Sequence, residues 1–457
     1  MIFLINLFQT GKHSLIMNYK LRILNFCCNT ERSEVSKILL ILFLLISVTS
    51  FAQEVNFDKY FINKSMRVDY SHVGNSENES IYLKEIRQEQ FWGGSQVNLI
   101  DTFMYGNFMV KIYDKATKKL IYSRGSDNLF KEWQTIPEAK EISKSFYEVA
   151  TFPYPKEKII FNIDRRDRKG GYFNLFYLEI DPKDVSIKKE KACNYNTFEI
   201  LKNGDSKNKV DIAFIFDGYT KDETEKLHKD AKRFAEYLFS YSPFTENKDK
   251  FNICGVEVIS NESGTDMPTI DVWKNTAINS NFNTFSSERY LTTSDIKSLR
   301  DAASLVPYDQ IFLLVNTAKY GGGGIYNFWS ITSVDDPASK FVFLHEFGHG
   351  FGGLADEYVD YGLSDEFYPK GVEPWEPNIT NLVDFDKKWK NLIDKDTPQP
   401  TPATTEYAKT IGLFEGAGYM EKGFYRPYRK CEMQTLMVGY CPVCEYSIQQ
   451  MIDFYTK

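Results

Sequence analysis

Histidine is scarce in this chain: five occur among 457 residues, at positions 13, 72, 228, 345 and 349. Two of those five stand four residues apart, and that pair calls for a chemical explanation. Long apolar runs are scarcer still. After residue 49 no stretch approaches the roughly 20 apolar residues a helix needs to cross a bilayer, which argues against stable membrane insertion of the mature protein. Concentrated Lys/Arg stripes are absent and the formal charge is −7, so a nucleic-acid partner is not expected. No internal repeat occurs, and the nearest thing to low complexity is the short "DTPQPTPATTE" loop.

What is present begins with a leader. Residues 38–49, "ILLILFLLISVT", follow Lys37 and precede "SFAQ", where Ser50 and Ala52 supply the small residues a signal peptidase reads. Cleavage after Ala52 is expected, giving an exported protein in the periplasm, at the cell surface or in the medium. Five cysteines then remain: Cys193, Cys254, Cys431, Cys441 and Cys444. Export permits oxidation, but an odd number leaves at least one thiol free.

About 405 residues follow the leader, room for two or three domains. From 53 to 195 the runs "NFMVKIYD", "KLIYSR", "KIIFNID" and "YFNLFYLEID" alternate between turn-forming stretches, the pattern of an all-β, sandwich-like domain. His72 reads as a packed or surface residue there. From 196 to 457 the rhythm becomes α/β. "KVDIAFIFDGY" is a nearly unbroken apolar strand, and Thr220 is placed to cap an amphipathic helix carrying Leu227, Ala231, Phe234, Ala235 and Leu238 on one face. "FNICGVEVIS" and "YDQIFLLVN" add strands, so a twisted mixed sheet with helices packed on it is expected. His228 falls on the polar face of its helix.

The stretch "FVFLHEFGHGFGGLADEY" carries the chemistry. A helix over 338–350 stacks His345 and His349 on one face, where two imidazoles can reach one zinc ion. Catalytic zinc takes three protein ligands and keeps a position for water. Glu346, beside the first histidine, is placed to take a proton from that water, the mechanistic reading of H-E-x-x-H on a helix. No histidine follows His349, so the third ligand is expected to be a carboxylate. Gly350, Gly352 and Gly353 can end the helix and turn the chain, bringing back Asp356, the favoured ligand, or Glu357.

"HEFGHGFGGLADEY", with "KVDIAFIFDGYT", "GGGGIYNFWSI", "FEGAGYMEKGFYRP" and "CEMQTLMVGYCPVC", resembles the bacterial immunoglobulin A peptidase family of zinc metallopeptidases. The likeness spans about 198–457, and the β-rich segment before it is similar to the N-terminal domain such proteins carry. The resemblance implies a metzincin-like α/β peptidase domain and a zinc endopeptidase acting on protein or glycoprotein substrates. It also implies His345, His349 and Asp356 as ligands, Glu346 as base, and a methionine-containing turn beneath the metal. The sequence departs from the longer metzincin pattern by one residue, since Ala355 stands where that pattern has its third ligand.

Other elements carry weaker expectations. Met433 or Met437 would supply the turn, and Tyr425, Arg426 or Tyr440 would contact substrate or the developing oxyanion. The glycines of "YGGGGIYNFWSITS" would lead into an edge strand along which a peptide could pair. Cys441-Pro442-Val443-Cys444 and Cys431 are one ligand short of a structural zinc site, so a local disulfide is expected instead. The alternative to an enzyme is an inactive surface protein that captures a ligand through its β-rich domain; the intact His345, Glu346 and His349 set weighs against it.

Overall fold

Alternating apolar residues in the first half form strands that bury one face. The computed structural model describes residues 55–360, 367–369 and 371–457; the expected leader over 1–52 lies outside them. Strands β1 (Phe61–Gly74), β2 (Glu79–Glu89) and β5 (Lys144–Pro155) make one antiparallel sheet in the order β2-β1-β5. Strands β3 (Phe108–Asp114), β4 (Leu120–Ser126), β6 (Ile159–Arg166) and β7 (Tyr172–Ile180) make a second, in the order β4-β3-β6-β7. Val68, Phe152, Ile112 and Phe161 from the two sheets share a single core, and the Phe152 and Phe161 rings stack 5.6 Å apart. This is the β-rich half that the alternation led us to expect. His72 is packed within it, stacked on Phe130 at 3.8 Å and paired with Glu79.

The second half is built on a six-stranded sheet. Its members are β8 (Asn196–Leu201), β9 (Val210–Asp217), β10 (Phe251–Glu257), β13 (Gln310–Val315), β14 (Gly322–Ile325) and β15 (Trp329–Ser333), after a two-residue pair β11 (Ser280–Asn281) and β12 (Thr292–Thr293). The order is β14-β15-β13-β9-β10-β8, with the four inner strands parallel and both edges antiparallel. All eight residues of β9 are buried, because both faces are covered. Phe214 and Phe216 join a core with α1 (Thr224–Leu238), α3 (Ser339–Gly350) and α4 (Pro442–Thr456). Ala213 and Ile215 join one on the opposite face with α2 (Ile296–Ala303). A strand buried on both sides reads as continuously apolar, which is why "VDIAFIF" shows no alternation.

Thr220 forms a reciprocal capping box with Glu223 that opens a tight turn leading into α1, as the sequence pattern predicts. His228 is half-buried and paired with Glu257 at 2.8 Å, not merely solvated. A hairpin of β16 (Phe414–Ala417) and β17 (Met420–Arg426) follows the long loop region. Val55–Lys457 pack as one compact unit, and the change of organisation near 195 falls between β7 and β8. Among the described residues no helix is long and apolar enough to cross a membrane.

Candidate active site

Helix α3 lies directly against the glycines of β14. A Cβ added to Gly324 would sit 2.4 Å from the Glu346 carbonyl oxygen and 2.9 Å from the His349 Cβ, and one added to Gly322 would sit 2.8 Å from Glu346 Oε1. The absent side chains let the histidine-bearing face approach the sheet edge. Gly324→Ala is therefore expected to cost about 1–3 kcal/mol, as overpacking does, and to weaken metal binding by displacing His349. Denaturant midpoints and metal titration of that variant check this.

The helix ends as the glycine pattern predicts. Gly353 takes a left-handed conformation with φ of 64°, and the Leu354 N–H donates to the Gly348 carbonyl at 3.1 Å, a close in which glycine carries no Cβ penalty. The turn delivers two contacts. The Leu354 carbonyl accepts from His349 Nδ1 at 2.6 Å, and Asp356 returns to the histidines.

The three donors converge. The Nε2 atoms of His345 and His349 lie 3.1 Å apart, and Asp356 Oδ1 lies 3.0 Å from the first and 3.4 Å from the second. His345 Nδ1 is 3.0 Å from the Glu432 carbonyl. A carbonyl only accepts, so each Nδ1 carries its hydrogen, and a neutral ring then turns its Nε2 lone pair toward the shared point. Asp356 Oδ1 is buried without a hydrogen-bond partner among the described residues, while Tyr419 donates to Oδ2. Two lone pairs and an orphaned carboxylate oxygen aimed at one point, each imidazole oriented by a carbonyl behind it, fit a divalent cation.

The electrostatics agree. Burial alone would lower the His345 pKa, but Asp356 outweighs it and the value is pushed up to about 10; His349 is raised against burial by the same carboxylate. Burial would raise Asp356, yet the two imidazoles hold it well below the usual carboxylate range. The trio thus favours positive charge at its centre. Burial raises the Glu346 carboxyl, opposed by His345 and His349.

The remaining expected residues divide. Glu357 is fully buried and turns to a different cluster, with its Oε1 accepting from Asn378 at 2.9 Å. Met433 is buried against α3, its sulfur 2.7 Å from where a Cβ on Gly348 would stand, whereas Met437 is 60% exposed. Tyr440 is buried and donates to the Leu344 carbonyl, Arg426 spends its guanidinium on the Glu415 and Gly416 carbonyls, and Tyr425 pairs through its backbone with Thr380. The Tyr440 hydroxyl and Arg426 Nη1 are therefore already engaged by backbone carbonyls, while Arg426 Nε is buried without a partner among the described residues. The glycines form the edge strand β14 itself, and that edge is not bare: Tyr290 bridges Gly322, and the Leu291 N–H approaches its carbonyl at 3.4 Å.

Several residues near the trio were not singled out from sequence. Asn378 pins the returning chain by accepting from the Ala355 N–H and donating to its carbonyl. Tyr419 holds Asp356 from the hairpin. Arg289 and Tyr320 lie close enough to exchange charge effects with Asp356 and Glu346. From the β-rich half, Glu132 accepts from Tyr290 at 2.7 Å, and its carboxyl is pushed up to about 7, chiefly by burial, with Asp356 adding to the rise. Tyr419 and Tyr320 stood inside quoted stretches, "FEGAGYMEKGFYRP" and "YGGGGIYNFWSITS", without being assigned a role; the others lack any local signal.

Comparison with known families resolves what kind of protein carries this site. The family model described as IgA Peptidase M64 matches residues 198–407 and 403–452, and the Peptidase M64 N-terminus model matches 56–177. The chain belongs to the IgA peptidase M64 family. No curated protein matches the chain. The M64 matches cover the β-rich half and the six-stranded sheet separately, and the three converging donors lie inside the peptidase match. Membership makes this chain a peptidase, a hydrolase of protein substrates, and implies that it is a metallopeptidase.

Proposed function

We propose that the chain is an exported, zinc-dependent endopeptidase with a metzincin-like site, in which His345, His349 and Asp356 hold the metal and Glu346 is the catalytic base. The observation that carries this reading is the approach of Asp356 Oδ1 to both histidine Nε2 atoms, within 3.0 and 3.4 Å. When bound, the metal supplies Lewis acidity, lowering the pKa of water toward about 7 and polarising a carbonyl.

The chain's own residues do the rest. Glu346 takes the proton as water adds to the carbonyl carbon and returns it to the amine as the C–N bond breaks. The Glu432 and Leu354 carbonyls hold the imidazoles in one tautomer and orientation. Met433 fills the space under α3, which supports its role as the methionine of the turn. The leader supports export.

Metal analysis tests the ligand set. His345→Ala is expected to lower bound zinc by about one ion per chain, and Asp356→Ala to weaken the same ion strongly. Glu357→Gln leaves that ion in place, since its carboxylate faces away from the histidines. Unchanged zinc in His345→Ala removes the assignment.

A further inference from the structure

A second cluster of metal donors lies behind the first. Cys431, Cys441 and Cys444 are 0–2% exposed, Glu357 is 0% exposed, and their donor atoms all lie within 4.8 Å of one another. Glu357 reaches Cys444 from 87 positions away, its Oε1 3.3 Å from Cys444 Sγ. It is the fourth donor that the sequence alone does not reveal. All five cysteines of the described residues are free thiols, so the expected disulfide is not formed, and Cys431 and Cys444 stand 3.6 Å apart at sulfur.

These separations match one small tetrahedral ion. With Zn–S of about 2.3 Å and Zn–O of about 2.0–2.2 Å, tetrahedral geometry puts sulfurs about 3.8 Å apart and sulfur and oxygen about 3.5 Å apart. The charge inventory points the same way. Among the described residues Glu357 Oε2 is buried with no hydrogen-bond partner, and the nearby Arg426 gives its Nη1 to backbone carbonyls. A buried carboxylate beside three thiols, with no cation in contact among the described residues, carries a large desolvation cost, which a divalent ion would relieve. Cys441 is the N-cap of α4, a 15-residue helix whose N-terminal end favours anionic sulfur. The Cys441 N–H also donates to Cys431 Sγ at 3.2 Å.

We propose that Glu357, Cys431, Cys441 and Cys444 form a second, closed metal site for zinc or a similarly thiophilic divalent cation, structural in role. Thiolates select such ions over calcium or magnesium, and burial of all four donors leaves no position for substrate. The location gives the site a purpose. Glu357 follows Asp356, and Cys431 precedes Glu432, whose carbonyl orients His345. One ion would tie together the two segments that supply the third donor and the histidine support of the active site.

The test uses the full mature chain purified with zinc. It is expected to hold about two ions per chain. His345→Ala with His349→Ala should retain one, and adding Cys444→Ser should remove it. To keep the test independent of whether the serine variant folds, the histidine double variant is also loaded with cobalt, its cysteines intact; it should show thiolate-to-cobalt charge-transfer absorption in the near ultraviolet. A folded double variant that holds no metal and gives no such band overturns the proposal. So does alkylation mapping that finds two of the three cysteines bridged in the zinc-loaded chain. If instead the active-site reading fails, the natural chain holds a single ion that Cys444→Ser removes and the histidine changes do not.

Discussion

Glu346→Gln is expected to lower peptide hydrolysis by about 10²–10⁴-fold, the usual contribution of a positioned acid–base group, while leaving metal content unchanged. The amide keeps the size of the carboxylate, so the contact with Gly322 and the packing of α3 on β14 survive. What disappears is the proton acceptor beside the histidines. Burial already raises this carboxyl while His345 and His349 restrain the rise, a balance suited to taking and returning one proton. The measurement is cleavage of unfolded proteins and a mixed peptide library by natural and variant chains, with and without chelator. Equal cleavage by both chains overturns the role of Glu346. A natural chain that holds zinc and cleaves nothing across the library supports the inactive-binder alternative.

The convergence of the paired histidines was legible because its residues are local. A four-residue spacing places His345 and His349 on one helix face whatever the rest of the chain does, and three glycines forecast the turn that follows. The choice between Asp356 and Glu357 was not legible, because adjacent carboxylates point in opposite directions only once the chain has been pinned. Asn378 and the Tyr419 hydroxyl do that pinning, and neither sits near the motif in sequence.

The same logic separates what was seen and missed elsewhere. Continuous apolar "VDIAFIF" forecast a strand buried on both faces. The short disulfide expected between Cys431 and one of Cys441 and Cys444 rested on export and on the lack of a nearby fourth ligand, and it gave way to free thiols clustered with a distant glutamate. Tyr440 and Arg426 were expected to contact substrate because their side chains donate, yet the structure spends the Tyr440 hydroxyl on the Leu344 carbonyl and Arg426 Nη1 on the Glu415 and Gly416 carbonyls. Composition reports what a side chain can do, and the fold decides which partner reaches it first.

Arg67→Met is expected to destabilise the chain by about 3–5 kcal/mol, the usual cost of removing one partner from a buried ion pair. Arg67 lies on β1, 0% exposed. Its guanidinium grips Asp69 with two bonds of 2.6 Å and reaches across to Asp301 on α2 at 2.8 Å, with Glu89 at 3.6 Å. One cation thus joins the N-terminal sheet to a helix covering the six-stranded sheet. Methionine fills similar volume, so the loss is electrostatic: three carboxylates keep their burial and lose their common counter-ion, while Lys297 stays paired to Asp301. The denaturant midpoint should fall with little change in slope. Adding Asp69→Asn and Asp301→Asn should recover much of the loss, because removing both sides of a buried pair is far less costly than removing one. Metal content and turnover of the folded variant should stay near natural values, since none of these residues touches the histidine site. A loss below about 1 kcal/mol, the range of exposed pairs, would mean that water screens this network and that apolar packing alone joins the two halves.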